Sequence, residues 1–227
     1  MNVSELREYV MEARMLAEIA WDAKTAFSQT DAGDRYVRWW AREYFGANEA
    51  EAVAQAYRGY YQRLPSWDQI AVGADAVAAA LSELDARFAN TSPPSTANIL
   101  PSLGERAQAY ETLMRSIDAA SARMSADRRQ FFFEHVQFPL LVDWRQTTAA
   151  FKLWQAAAES DPAARRRLCL MAFEDLQKLE DEIRRAERPP FENWYRPTWI
   201  RNNDSPYNVH RSYQRTRPFL VAHGLMP

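Results

Sequence analysis

Apolar residues recur at three- and four-residue intervals along most of this chain, and that spacing suits one kind of regular element. A period of 3.6 lines one face of a helix, whereas a half-buried strand needs strict alternation. Leu6, Val10, Ala13, Ala17 and Ala20 set the first stripe. A second helix is expected to start near Asp31 or Asp34, to carry Tyr36, Val37, Trp39, Trp40 and Tyr44, and to end at Gly46. Asn48 is placed to cap a third with Val53, Tyr57, Tyr60 and Leu64 aligned and Pro65 as its stop, and Val77, Leu81, Leu84 and Phe88 mark a fourth.

The clearest loop runs from Asn90 through Pro93 and Pro94 to Pro101. Beyond it Tyr110, Leu113, Ile117, Ala120 and Met124 resume the pattern. Ser125 is placed to cap a long helix through Phe132, Val136, Leu140, Trp144, Phe151 and Trp154. Pro139 inside that helix should kink it, because proline lacks the N–H and crowds the preceding turn. Asp161 and Pro162 open a last stripe of Leu168, Ala172, Leu176, Leu179, Ile183 and Ala186.

No alternating stretch of useful length competes with these readings. The pattern predicts an all-α fold, an antiparallel bundle of six to seven helices over residues 1–188. Residues 189–227 are expected to form an irregular aromatic- and arginine-rich tail packed on that bundle. It ends in a short helix opened by Ser205 and Pro206 and running through Tyr207, Val209 and Tyr213.

Glycine is scarce, at six of 227 residues, which argues against glycine-rich phosphate loops and β-rich architectures alike. The net charge of −2 gives no case for nucleic acid or membrane as a partner of the whole chain. Charge is uneven, however. From Arg184 to Arg217 eight arginines face Glu187, Glu192 and Asp204, a local +5 that leaves the rest of the chain at −7. No nucleic-acid reader motif accompanies those arginines, which are interleaved with prolines and aromatics. No apolar run of transmembrane length occurs, and the polar, acidic opening Met1-Asn2-Val3-Ser4-Glu5 does not look like a signal peptide. One cysteine, Cys169, excludes an internal disulfide framework and leaves the compartment open.

The tail holds the best candidates for ligand contact. Trp194, Tyr195 and Trp199 offer flat apolar faces, while Arg196, Arg201, Asn202 and Asn203 offer directed donors. Sugars are bound by that combination, and arginine adds bidentate recognition of a carboxylate, which suits Arg196 and Arg201 to an acidic sugar. The competing reading is that an extended tail needs aromatic anchors, with arginine stems covering apolar surface. On the residues alone, anchoring outweighs contact.

Elsewhere the bland readings hold. Trp39 and Trp40, with Tyr57, Tyr60 and Tyr61, read as core before pocket; consecutive helix positions point about 100° apart, so one of the two indoles belongs at an edge. Glu174, Asp175, Glu180, Asp181 and Glu182 read as a solvated helix face, with pairs such as Glu180 and Arg184. His135, His210 and His223 are too dispersed to ligate a metal, and Cys169 reads as a small buried residue. No cofactor motif is present, and no metal site, catalytic residue or nucleophile elbow is assigned.

Three stretches together resemble the helical domain of family 115 glycoside hydrolases, the xylan α-glucuronidases. Met15-Leu16-Ala17-Glu18-Ile19-Ala20-Trp21-Asp22, leading to Tyr36-Val37-Arg38-Trp39-Trp40-Ala41-Arg42-Glu43-Tyr44-Phe45-Gly46, is similar to the family's alanine–tryptophan–acid stretch and a helix closing in phenylalanine–glycine. Arg128-Arg129-Gln130-Phe131-Phe132-Phe133-Glu134-His135-Val136-Gln137-Phe138-Pro139 is similar to a helix with paired aromatics and an internal proline. Phe191-Glu192-Asn193-Trp194-Tyr195, on to Trp199, is similar to its aromatic exit segment. There the expected histidine–isoleucine–glycine–tyrosine element becomes Thr198-Trp199-Ile200-Arg201, the mark of a divergent relative.

The resemblance implies that acid and base come from a barrel preceding the helices, so no catalytic residue transfers to any position here. A barrel of about 250 residues does not fit in this chain. The expected function is that of a non-catalytic accessory domain of, or derived from, an enzyme acting on plant polysaccharide of the glucuronoxylan type. Its partners would be a carbohydrate and a catalytic barrel or other protein. The alternative is a free-standing helical interaction module with no ligand.

Overall fold

The computed structural model describes residues 9–28, 30–63, 72–89, 99–197 and 208–227. Every regular element among them is a helix, so the fold is all-α as the spacing predicts. The chain divides into two compact units, Met1–Leu64 with Thr112–Leu140 and Pro65–Glu111 with Leu141–Pro227.

The first unit begins with α1 (Val10–Trp21), the single-turn α2 (Ala23–Ala26), α3 (Ala32–Phe45) and α4 (Ala50–Arg63). Asp22 ends α1: its backbone leaves the helical region (φ −149°, ψ 80°) and its carboxylate accepts from the Thr25 amide at 3.1 Å, capping α2. Gly46 stops α3 at φ +92°, ψ 160°, backbone that side-chain-bearing residues rarely adopt. Asn48 is not the cap of α4; it lies in the turn, and the first helical carbonyl is that of Glu49, bonded by Val53.

Trp40 and Tyr57 tie α3 to α4. Both are buried, and the Trp40 indole N–H donates to the Tyr57 hydroxyl at 3.1 Å. Phe45 meets Phe132 edge-on at 5.5 Å. Trp40 is fully enclosed while Trp39 is 38% exposed, the split that their angular separation requires. A second tie is ionic: Asp34 on α3 accepts from Arg58 on α4 at 2.6 Å, and Arg38 stands 3.0 Å from its other oxygen. The hydrogen bond from Arg58 holds the Asp34 carboxyl below the usual carboxylate range.

The α1 stripe departs from expectation. Met11 is buried and Met15 and Ile19 are half-buried, whereas Ala17 and Ala20 are exposed. Met11, Met15 and Ile19 also recur at helical spacing, and they bury more apolar area per residue than alanine, so the helix turns that face inward.

Two long helices, α6 (Ile99–Ser121) and α8 (Phe138–Ala158), give residues to both units. Pro101, expected in a loop, lies in the first turn of α6, where its missing N–H costs nothing; residues 90–98 lie outside those described. Met124 follows α6 in a turn. Ser125 holds the N-cap position of α7 (Ala126–Phe132) without a side-chain cap bond.

Between α7 and α8 the residues Phe133–Gln137 form a π-helical turn, in which the Phe138 N–H bonds the Phe133 carbonyl, five residues back. This is how the chain accommodates Pro139. A proline here would crowd the carbonyl of His135 and leave an acceptor unbonded, and a locally widened turn relieves both.

In the second unit α5 (Val72–Phe88), α9 (Pro162–Ala186) and α10 (Arg211–Ala222) join parts of α6 and α8 around Val77, Leu84, Leu153, Ala172 and Leu176, each fully buried. Asp161 caps α9 through the amides of Ala163 and Ala164, at 3.2 and 3.0 Å, with Pro162 in the first turn. The helix α10 packs on α5 and α9. It starts at Arg211, later than expected, because the Asn208 side chain accepts the His210 amide at 3.0 Å and holds a turn there. Ser205, Pro206 and Tyr207 lie outside the described residues.

The acids of α9 do not form one solvated face. Asp175 is buried against Lys152, Glu182 takes Arg145 at 2.8 Å, and Glu180 accepts from His210 at 2.9 Å. Arg184 pairs with Asp181 instead of Glu180. The neighbouring helices supply the cations, which a single-helix reading does not include.

Replacing Tyr57 with Phe leaves the enclosed Trp40 N–H without an acceptor. Urea unfolding should show a loss of about 1–3 kcal/mol, and an unchanged midpoint would mean the bond contributes nothing. The Asp34 contribution depends on pH. A carboxyl whose folded pKa is depressed stabilises above its unfolded value, near about 4, and the gain is lost as pH falls through the folded value. Asp34→Asn should therefore be less stable than wild type at pH 7, with the two converging in acid. A gap that stays constant over the acid range contradicts the ionic account.

Candidate functional site

After α9 the chain leaves helical geometry through a series of turns. Phe191 N–H bonds Arg188 O at 2.6 Å, Trp194 N–H bonds Phe191 O at 3.2 Å, and Asn193 takes φ 57°, which asparagine tolerates. Phe191 and Trp194 meet edge-to-face at 5.5 Å, leaving Trp194 half-buried. Tyr195 is only 4% exposed, and its amide donates to Glu187 Oε1 at 2.8 Å. Arg196 is exposed. Trp199, Arg201, Asn202 and Asn203 lie outside the described residues.

The first unit carries open hollows that the sequence reading did not find. One, of about 570 Å³, lies among α1, α3 and α4 over Met11, Met15, Leu16, Ile19 and Val37. Its rim is polar: Glu12, Asp34, Arg58 and Tyr61. Two more hollows, of about 330 and 440 Å³, lie along α1, α2 and α3 and share Glu18, Thr25 and Ala26. Trp39 lines the smaller and Trp21 the larger. Trp21 is 92% exposed.

The carboxylates around these hollows are already engaged. Asp34 holds Arg58 and Arg38; Glu12 accepts from the Tyr61 hydroxyl at 2.5 Å; Glu18 pairs with Arg14 at 3.0 Å; Asp22 caps α2. Burial, with Glu12 beside it, pushes the Tyr61 hydroxyl well above the ordinary tyrosine range, and burial does the same for Tyr36 and Tyr57. These hydroxyls stay protonated: that of Tyr61 donates to Glu12, and that of Tyr57 accepts from Trp40.

Among the described residues no group of three or more histidine, cysteine or acidic side chains is placed to hold a metal ion. Cys169 is enclosed in the second unit's core, and burial pushes its thiol up to about 11, so it is no nucleophile at neutral pH. His210 and His223 each face a carboxylate, Glu180 and Asp85. What the arrangement offers is binding surface: an apolar groove with a charged rim, and aromatic faces beside hydroxyl and carboxylate groups. The signal for the groove was the Met11, Met15, Ile19 spacing. The signal for Trp21 was its place immediately before a capping aspartate.

No helix among the described residues is long and apolar enough to cross a membrane. No curated protein and no solved structure matches the chain. The model of Glycosyl hydrolase family 115 matches residues 1–67. That segment carries α1 to α4, with the hollows between them, and includes the first of the three stretches noted in the sequence. Residues 128–139 and 191–199 lie beyond the match. Over those 67 residues, less than a third of its length, the chain is similar to the family 115 glycoside hydrolases.

Proposed function

We propose that this chain is a non-catalytic helical accessory domain of a family 115-like glycoside hydrolase acting on plant polysaccharide of the glucuronoxylan type. The observation that carries this reading is the coincidence of the family match with a groove built for docking. The matched segment supplies the whole lining of the α1–α3–α4 groove. Its floor is flexible apolar side chains, suited to seating a catalytic domain, and methionine adapts well to such surfaces. Its carboxylates are committed to Arg58, Arg38 and Tyr61, whereas glycoside hydrolysis needs two carboxyls opposed across a sugar.

In this reading residues 194–203 border a carbohydrate cleft. The turn pinned by Tyr195 leaves the Arg196 guanidinium exposed, and Arg196 with Arg201 suits a uronate. The same groove also favours a second reading, a free-standing interaction module whose partner fills it and which binds no sugar.

Incubated alone with glucuronoxylan, the chain should release no uronic acid. It should retain oligosaccharides bearing glucuronate in affinity electrophoresis, and the double substitution Trp194→Ala, Arg196→Ala should weaken that retention. Release of uronic acid that Glu12→Gln abolishes would refute the non-catalytic reading. Absence of any retention would leave the interaction module.

A further inference from the structure

The last helix, α10, is basic and amphipathic, and it is held by its edges more than by its face. Arg211, Arg215 and Arg217 lie along it with no acid among them. The face it buries repeats every four residues as Asn208, Ser212, Thr216 and Leu220, with Asn208 in the turn just before the helix. Three of those four are polar, and the Ser212 and Thr216 hydroxyls are enclosed without a hydrogen-bond partner. An unbonded buried hydroxyl opposes docking, and such small side chains bring little apolar area to offset it. Pro218, inside the helix, also removes one backbone bond from a segment of only 12 residues.

The seat under α10 has the opposite character. Val77 and Leu84 of α5 and Ala172 and Leu176 of α9 are enclosed in one core cluster with Leu220. Phe88 of α5 meets Phe219 at 6.3 Å, and Phe173 of α9 stacks on Tyr213 at 5.2 Å. Carboxylates stand at the rim. Asp75 takes Arg211 at 2.8 Å, Glu180 faces His210 at 2.9 Å, and Asp85 faces His223 at 3.1 Å. Two arginines of α9 stand at the far end: Arg166 donates to the Leu225 carbonyl at 3.0 Å, and Arg165 lies 5.7 Å from the Phe88 ring centre. Cations there complement the negative end of a helix.

An apolar floor, an acidic rim and arginines at the carbonyl end together specify an occupant, a basic amphipathic helix in one orientation. The resident helix has the charge but not the face. A helix of the same charge with apolar groups in place of the two hydroxyls would sit there without their desolvation cost.

We infer that α10 is an autoinhibitory plug, which fills the seat on α5 and α9 in cis and yields it to a basic amphipathic helix of a partner protein. The seat lies outside residues 1–67 and needs no carbohydrate.

The test is fluorescence anisotropy of a labelled synthetic peptide, residues 208–227 with Ser212→Ala and Thr216→Val, titrated with the full chain. The peptide should bind saturably. Arg211→Ala in the chain should raise its affinity about two- to fivefold, because the resident helix loses one rim pair while the seat stays intact. The same substitution placed in the peptide should lower the affinity by a like factor. In the free chain, hydrogen exchange should open α10 before α8 and α9. Failure of the peptide to bind either chain overturns the inference. So do changes of equal sign from the two Arg211 substitutions, which would assign binding to another face. Exchange of α10 in step with α8 and α9 overturns it as well, since the seat would then be vacated only by global unfolding.

Discussion

The hydrogen bond from the Trp40 indole to the Tyr57 hydroxyl is the constraint on which the first unit turns. Tryptophan and tyrosine supply large apolar area, yet each brings one polar atom into the core, and an unmatched polar atom there is costly. Placing the two opposite each other satisfies both and fixes how α3 lies against α4. Asp34 and Arg58, on the same two helices, then meet at the rim without strain on the core. The groove floor inherits its shape from this pairing, because Val37 and Tyr61 are carried on the helices that it locks.

Function in such a domain depends on which side chains remain uncommitted. Arginines and acids are numerous, but near the hollows they are largely spent on one another. Arg58 alone bridges Asp34 and Glu51. Aromatic surface is what stays exposed, at Trp21 above all and in part at Trp39, whose ring also carries the Arg14 guanidinium. The family match covers α1 to α4, the segment that also carries the exposed aromatics Trp21, Phe27 and Trp39. Binding by shape and stacking needs no shifted carboxylate.

The helices were legible because burial repeats with the helical period. The stripes of α5, α6 and α9 predict the buried residues Val77, Leu84, Tyr110, Ile117, Leu176 and Ile183. Legibility failed where two periodicities compete or where partners come from another helix. In α1 an alanine stripe and a methionine–isoleucine stripe share one segment, and only side-chain size decides between them. In α9 the fate of Glu180 and Glu182 depends on His210 and Arg145, both distant in sequence. In the tail, Tyr195 is buried and its amide is held by Glu187, a contact with a residue eight positions earlier.

The π turn at Phe133–Gln137 has a bearing on how this fold tolerates change in length. A regular helix cannot gain or lose a residue without rotating every side chain beyond the change. Here the surplus residue is already absorbed, and four of the five positions, Phe133, Glu134, Val136 and Gln137, remain buried. Removing one residue within the turn would return the stretch to ordinary winding and keep Phe132 and Phe138 facing the same core. The segment thus works as a slack point, where the chain can lose a residue that neighbouring helices must keep.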